Sequence, residues 1–280
     1  MVDIYVAAGI SLVASFFFEA LILYLILPML QESKAVRPNY QGKDIPVSAG
    51  ITFIFTFLII MAGYKLLLPV FEPQFYLLAL GLTAIGFLGF LDDMLGGSDR
   101  RGFKGHFGAL MKGRLTTGGL KALGGGFIAF LMALFIGGSA GEIVLNTFII
   151  ALFTNLLNLL DLRPGRAIKG FLLFLIIIVL MAGGKVDLLL IAPLLGAVLY
   201  YFYFDLKALA MMGDAGSNVL GLLLGYLAAA FLPMTFRIGV LLFLIAIHLF
   251  TEKYSISSTI ERVGVLRFFD QLGRSQSNGE

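Results

Sequence analysis

The feature that most constrains this chain is a run of about twenty apolar residues that recurs along its whole length, broken by short polar stretches. A helix needs about 20 such residues to cross a hydrocarbon core of about 30 Å. Runs such as FLLFLIIIVLMA lack the alternation of apolar and polar residues that a membrane β-barrel requires, so the barrel is set aside. With 59% hydrophobic and 13% charged residues among 280, too little polar surface exists to cover a soluble globule. The expected fold class is all-α, a polytopic transmembrane helical bundle of about nine spans. The apolar pattern places them at about 4–29, 46–68, 75–91, 119–138, 143–160, 167–182, 187–204, 215–233 and 236–252. Residues 1–252 then form one transmembrane domain and 253–280 a tail.

Cysteine is absent, which excludes disulfides and thiolate metal sites, and two histidines, His106 and His248, are too few for an ordinary zinc site. A metal here is expected to be a hard, oxygen-bound one. The start, MVDIYVAAGI, lacks a basic n-region and a cleavage site, and predicts a retained first span. Placing 31–45, 92–118, 161–166, 205–214 and the tail on one side, with the charges at the adjoining helix ends such as Lys121 and Lys169, puts all but Lys65, Lys185 and Arg237 of the 20 basic residues there. That asymmetry predicts a multi-pass plasma-membrane protein with those segments in the cytoplasm and the N-terminus outside. The tail places Ile256, Ile260, Val263, Leu266 and Phe269 among charged residues, the spacing of an interfacial amphipathic helix on the inner leaflet. Only Asp161 to Gly165 separates the fifth and sixth spans, with Pro164 and Gly165 supplying the break.

On that same side, acids stand where apolar helices end: Asp92 and Asp93 after GFLGFL, Asp161 after NLLNLL, and Asp214 in MMGDAGS. Carboxylates at membrane depth are costly unless they face a polar cavity or a partner, so their convergence marks a candidate site. Adjacent Asp92 and Asp93 point in different directions on a helix, which fits two separate roles. Asp214 between Gly213 and Gly216 is either a helix cap or a hard-metal ligand, and Ser217 opens a helix whose N-terminal amides favour phosphate. Asn155, Asn158 and Asp161 form a polar stripe; Asn155 serves equally well in helix packing. Beyond it, Arg163, Arg166 and Lys169 form a basic cluster suited to diphosphate or lipid headgroups, with Lys169 equally an anchor. The loop 96–118 carries five basic residues, seven glycines and His106, and could enclose a phosphate-bearing substrate. His248, within an apolar run, is expected to hydrogen-bond in helix packing.

Taken in order, RPNYQGKDIPVSAG, GFLDD, LTTGGLK, NLLNLLD and MGDAGS followed by NVLGLLLG resemble the polyprenyl-phosphate N-acetylhexosamine-1-phosphate transferase superfamily. The likeness runs from about residue 34 to 226. It implies transfer of a sugar-1-phosphate from a UDP-amino sugar to a polyprenyl (undecaprenyl) phosphate, releasing UMP, with Mg²⁺ as cofactor and a place in cell-wall biogenesis. It also implies roles: Asp214 binds metal; Asp92 and Asp93 serve the acceptor phosphate and catalysis; Lys121 is the active-site lysine. Asn158 and Asp161 lie near nucleotide and metal, and Lys43 is a looser match in the first loop. Arg163, Arg166 and Ser217 join Lys43 and Asn158 as expected substrate-binding residues. Membrane lipids and a second copy of the chain are the other expected partners; nucleic acid is not. Where the family often carries a second aspartate in N-x-x-D-G-x-D-G, this chain has Asp161-Leu162-Arg163-Pro164-Gly165, and a late histidine-rich loop is missing. A non-catalytic paralogue that binds prenyl phosphate or nucleotide sugar, or a membrane transporter, remains an open alternative.

Overall fold

The structure is a computed structural model that describes residues 3–67, 72–96 and 116–274; most of the basic loop, including His106, lies outside the described residues. Eleven helices are described: α1 (Ile4–Glu32), α2 (Thr52–Leu67), α3 (Pro73–Leu95), α4 (Thr117–Ile136), α5 (Ala140–Leu160) and α6 (Arg166–Met181) are the first six. They continue as α7 (Leu188–Leu206), α8 (Gly213–Phe231), α9 (Met234–Lys253), α10 (Ile256–Arg262) and α11 (Gly264–Gln271). A hairpin of β1 (Val36–Pro38) and β2 (Asp44–Pro46) is the one sheet among the described residues. The molecule is an all-α polytopic bundle in which eight helices are long and apolar enough to cross a membrane. The expected sixth span, α6, has 16 residues and reaches about 24 Å, shorter than the hydrocarbon core.

Two boundaries differ from the sequence expectation in ways that matter. The second helix starts at Thr52, not at 46, because Pro46 pairs with Val36 across the hairpin and Ser48 takes a left-handed conformation, φ 64°. The hairpin closes on Asn39, whose side chain accepts the Gln41 and Lys43 amides at 2.8 and 3.1 Å. Helix α3 runs on to Leu95, so Asp92 and Asp93 lie on its last turns and not beyond its end. The break between α5 and α6 falls at Asp161 to Gly165 as expected, with Gly165 left-handed at φ 75°.

Helix α8 is the axis of the bundle, buried along nearly its whole length against α3, α5 and neighbouring helices. Lipid tails are as apolar as leucine, so helices in a membrane gain little by hiding apolar surface from each other and associate through close packing. A side chain at Gly221 would strike the backbone of Phe153 and Thr154, which sets how closely α5 can approach α8. The outer surface is correspondingly apolar, with Phe17, Tyr24, Leu80, Phe135 and Leu180 exposed, which suits hydrocarbon as solvent. Peripheral α9 buries only Leu244 and is pinned to α5 by Arg237, which donates to Glu142 at 3.0 Å and to Asn146 at 3.1 Å.

The tail folds back. Its helical pattern breaks at Val263 into α10 and α11, and Asp270 receives Arg166 Nε at 2.8 Å and Arg274 Nη2 at 2.7 Å. Arg166 also donates to Ser257 at 2.7 Å, and Lys169 donates to the carbonyls of Phe269, Asp270 and Leu272. Val265, Leu266, Phe268 and Phe269 stay exposed, an apolar face beside the charged start of α6. Burial acts to raise the Asp270 carboxyl, but the Arg166 and Arg274 guanidinium groups outweigh it and hold the carboxyl below its ordinary range. A carboxylate with a lowered folded value contributes stability above its ordinary value and loses it as pH falls through the lowered one. Asp270→Ala leaves Arg166 unpaired and costs the docked tail about 3–5 kcal/mol. The chain has no native cysteine, so spin labels introduced at Leu173 and Val265 report the tail directly. The distance is expected to broaden in Asp270→Ala at neutral pH and in the wild type only on acidification.

Candidate functional site

The segments expected to share one side do meet at one end of the bundle. Met211 N donates to Pro46 O at 2.8 Å, Ala49 N to Met211 O at 3.0 Å, and Gly165 N to the Asp205 carboxylate at 2.9 Å. At their junction Asp93 reaches across from α3 to the start of α8. Its two oxygens accept the Asp214 and Ala215 amides at 3.1 and 3.2 Å, and Ser48 donates to it at 2.6 Å. The first amides of a helix lack intrahelical partners and carry the positive end of its dipole, so a carboxylate there is favourable. Asp93 is therefore the cap of α8, supplied from another helix, and Asp214 is freed from that task. The hairpin adds Arg37, whose guanidinium donates to the Asp93 backbone carbonyl.

Asp214, in the first turn of α8, pairs through one oxygen with Lys121 of α4 and accepts the Asn158 amide of α5 on the other. Asn158 also donates to Ser217 at 3.2 Å, and Ser217 back-bonds to Gly213 O at 3.0 Å. The Asp92 carboxyl faces Thr117 and Asp214, so the adjacent acids diverge as their helical spacing requires. Asp161, the C-cap of α5, faces the Gly213 amide. Burial first, and then the charges of Asp205, Asp214 and Asp93, push its carboxyl well above the ordinary carboxylate range. Asp92, Asp93, Lys121, Asn158, Asp161, Asp214 and Ser217 are thus brought together by four helices.

Two openings flank this cluster. A polar cavity of about 470 Å³ lies on the hairpin side, lined by Arg37, Tyr40, Asp161, Arg163, Asp205 and Asp214 among others. There the Arg163 guanidinium lies 5.8 Å from the centre of the Tyr40 ring, and its ion pair with exposed Glu261 is loose at 3.9 Å. On the other side, a second cavity of about 430 Å³ opens past Asp92 and Lys121 between α3, α4, α5 and α8. Asn155 opens into it.

Two sequence candidates fall elsewhere. Arg166 is buried and committed to Asp270 and Ser257, so it holds the tail and does not face the cavity. Lys43 stands exposed at the hairpin end and does not line the cavity, whereas Arg37, Pro38, Asn39, Tyr40 and Ile45 of the hairpin do. His248 Nδ1 donates to its own helix's Leu244 carbonyl, 2.7 Å away, and among the described residues it makes no bond across helices. Three residues escaped sequence reasoning. Arg37 and Asp205 gave no periodic signal; Glu19 did, as the lone acid within the long apolar run of α1. Glu19 is fully buried and accepts from Thr52 and Thr56, which stand one turn apart on α2.

Among the described residues, no three His, Asp or Glu side chains are arranged to hold a metal ion by themselves. Mg²⁺ keeps several waters and commonly binds through one or two carboxylates plus substrate phosphates. Asp214 with neighbouring Asp92 fits that second mode, with Lys121 as the counter-charge of the pair.

No family model matches the chain, and no curated protein sequence matches it significantly. The family likeness rests on the motifs, and those motifs supply the residues that meet here.

Two outcomes test this geometry. Removing the cap in Asp93→Ala leaves two amides of α8 unpaired and is expected to lower stability by about 1–3 kcal/mol, read as a drop in Tm in detergent. An acid with a raised folded value keeps a proton that the unfolded chain releases, so it costs stability as pH rises. Asp161→Asn should therefore gain Tm relative to the wild type, by an amount that grows as pH rises out of the ordinary carboxylate range. A pH-independent difference contradicts the assignment.

Proposed function

We propose that the protein transfers a sugar-1-phosphate from a UDP-amino sugar to a polyprenyl phosphate at the cytoplasmic face of the plasma membrane. The observation that carries this reading is the meeting of Asp92, Asp214, Lys121 and Asn158 at one end of an apolar bundle, beside a polar cavity. A lipid phosphate can reach such a place from the bilayer, and a water-soluble diphosphate from the aqueous side.

In the reaction, an oxygen of the acceptor phosphate bonds to the sugar-bearing phosphorus of the donor. The bond from that phosphorus to the bridging oxygen breaks, and UMP leaves with the electron pair. Both partners are anionic, so the main task is to offset repulsion and align the two oxygens. Lys121 supplies a cation at the centre, and the start of α8 supplies amide dipoles beside it. Mg²⁺ bound at Asp214 and Asp92 would neutralise charge on the diphosphate. Tyr40 and the Arg163 guanidinium offer a ring and a planar cation to the nucleotide. Burial and the neighbouring acids favour the protonated form of Asp161, and in that form it would donate a hydrogen bond where an ionised acid would repel phosphate. An apolar groove of about 640 Å³ between α5 and α9, lined by Val144, Phe148, Leu241 and Ile245, suits the prenyl chain.

In this reading the acid pair divides its work: Asp92, which lines the cavity beside Lys121, serves substrate, while Asp93, bonded to the first amides of α8, holds that helix in position. The test is purified protein with undecaprenyl phosphate, Mg²⁺ and a panel of UDP-sugars, following UMP and lipid product. Asp92→Asn and Asp214→Asn are expected to lose about 10²-fold or more in kcat, Asp92→Asn with near-wild-type Tm and Asp214→Asn with some loss of Tm because Lys121 is left without its partner. Asp93→Asn is expected to lose both rate and Tm. Binding of lipid phosphate by the wild type with no UMP from any donor overturns the transfer.

A further inference from the structure

Asn218 stands one turn below Asp214 on the same face of α8, about 6 Å deeper in the bundle. It is fully buried, and neither its amide nitrogen nor its oxygen has a partner. An asparagine in a membrane helix ordinarily bonds across to a neighbour, and an unpaired buried donor and acceptor are costly. Of the polar groups near it, Thr154 donates to Ile150 O at 2.8 Å and Asn158 serves Asp214 and Ser217, while Asn155 opens into the same cavity without bonding to Asn218. What Asn218 does line is the 430 Å³ cavity that opens past Asp92 and Lys121. Glycines on α4 keep it open, and a side chain on Gly126 would meet nothing within 4 Å.

Resting on the transfer reading above, we propose that this cavity is the subsite for the transferred sugar ring, with Asn218 as a specificity residue that reads two neighbouring polar substituents. An asparagine amide presents one acceptor and a donor side by side. A pair of adjacent hydroxyls, or a hydroxyl beside an N-acyl N–H, can meet both. A phosphate only accepts once ionised and leaves the Asn218 oxygen unpaired, and a prenyl chain has nothing to offer either group. Neutrality also fits the depth: below Lys121 the lining is uncharged, with Gly125, Ala151 and Ile85 beside Thr154, Asn155 and Asn218, so a further charge there would go uncompensated. The ring therefore sits beneath its phosphate, which Lys121 holds at the mouth, while the nucleotide occupies the hairpin side.

The test uses the full chain in detergent and measures Kd for N-acetylglucosamine 1-phosphate, glucose 1-phosphate, inorganic phosphate and farnesyl phosphate. The wild type is expected to bind at least one sugar phosphate about 10- to 100-fold more tightly than inorganic phosphate. Asn218→Leu removes both unpaired groups, should fold, and is expected to erase that preference with the Kd for inorganic phosphate unchanged. Gly126→Leu fills the cavity without touching Asn218 and should do the same. A sugar preference that survives both variants overturns the subsite. So does a wild type without the preference, which would make the cavity a hydrated one, or loss of farnesyl phosphate binding alone in the variants. UMP release that continues with donor selectivity unaltered in Asn218→Leu defeats the subsite and leaves the transfer standing. A sugar preference sensitive to Asn218 in a protein that releases no UMP defeats the transfer and leaves the subsite standing.

Discussion

The arrangement at the basic end of the bundle depends on one carboxylate, that of Asp93, lying on the first amides of α8. The contact joins the last turns of α3 to the first turn of the most buried helix. It recruits the Ser48 hydroxyl, whose left-handed backbone ends the hairpin connection, and the Asp93 carbonyl in turn receives Arg37. Three segments distant in sequence, the hairpin with its connection, α3 and α8, are therefore registered on a single residue. A cap from a neighbouring helix fixes the helix end from the side and leaves the Asp214 side chain free to pair with Lys121 and Asn158.

From that registration follows a layered site. Asp214, Lys121 and Asn158 form the charged upper layer, and Asn218, Thr154 and Gly125 stand one turn deeper on the same three helices. The repetition comes from helix geometry alone: residues four apart share a face, so any helix that offers a group to the upper layer also offers one to the lower. The upper layer holds charge next to water, where screening and a cation can offset it. Its lower counterpart is neutral, as the falling polarity demands.

Much of this was legible from sequence because its causes are local. Apolar run length gave the eight membrane-length helices and the shorter α6, and Pro164 with Gly165 gave the weakest division between them. The four aspartates could be assembled because each ends or begins an apolar run, which places all four at helix termini. What escaped depends on partners remote in sequence. Arg166 was grouped with Arg163 by proximity in the chain, yet three residues on a helix start are enough to turn one toward Asp270 and leave the other facing Tyr40. Capping of α8 by Asp93 across 121 residues has no local signature. The hairpin was hidden because two three-residue strands carry too short an alternation to stand out, so Arg37 went unnoticed while Lys43 was taken in its place.

The central claim is that Asp214 and Asp92 form a two-carboxylate site completed by the phosphates of a nucleotide. The most direct measurement is electron paramagnetic resonance of Mn²⁺, substituting for Mg²⁺, with the purified chain titrated in the presence and absence of UDP. The account predicts weak Mn²⁺ binding alone and at least about tenfold tighter binding with UDP, with that gain lost in Asp214→Asn. Tight Mn²⁺ binding that ignores UDP, or that persists unchanged in Asp214→Asn, would contradict it.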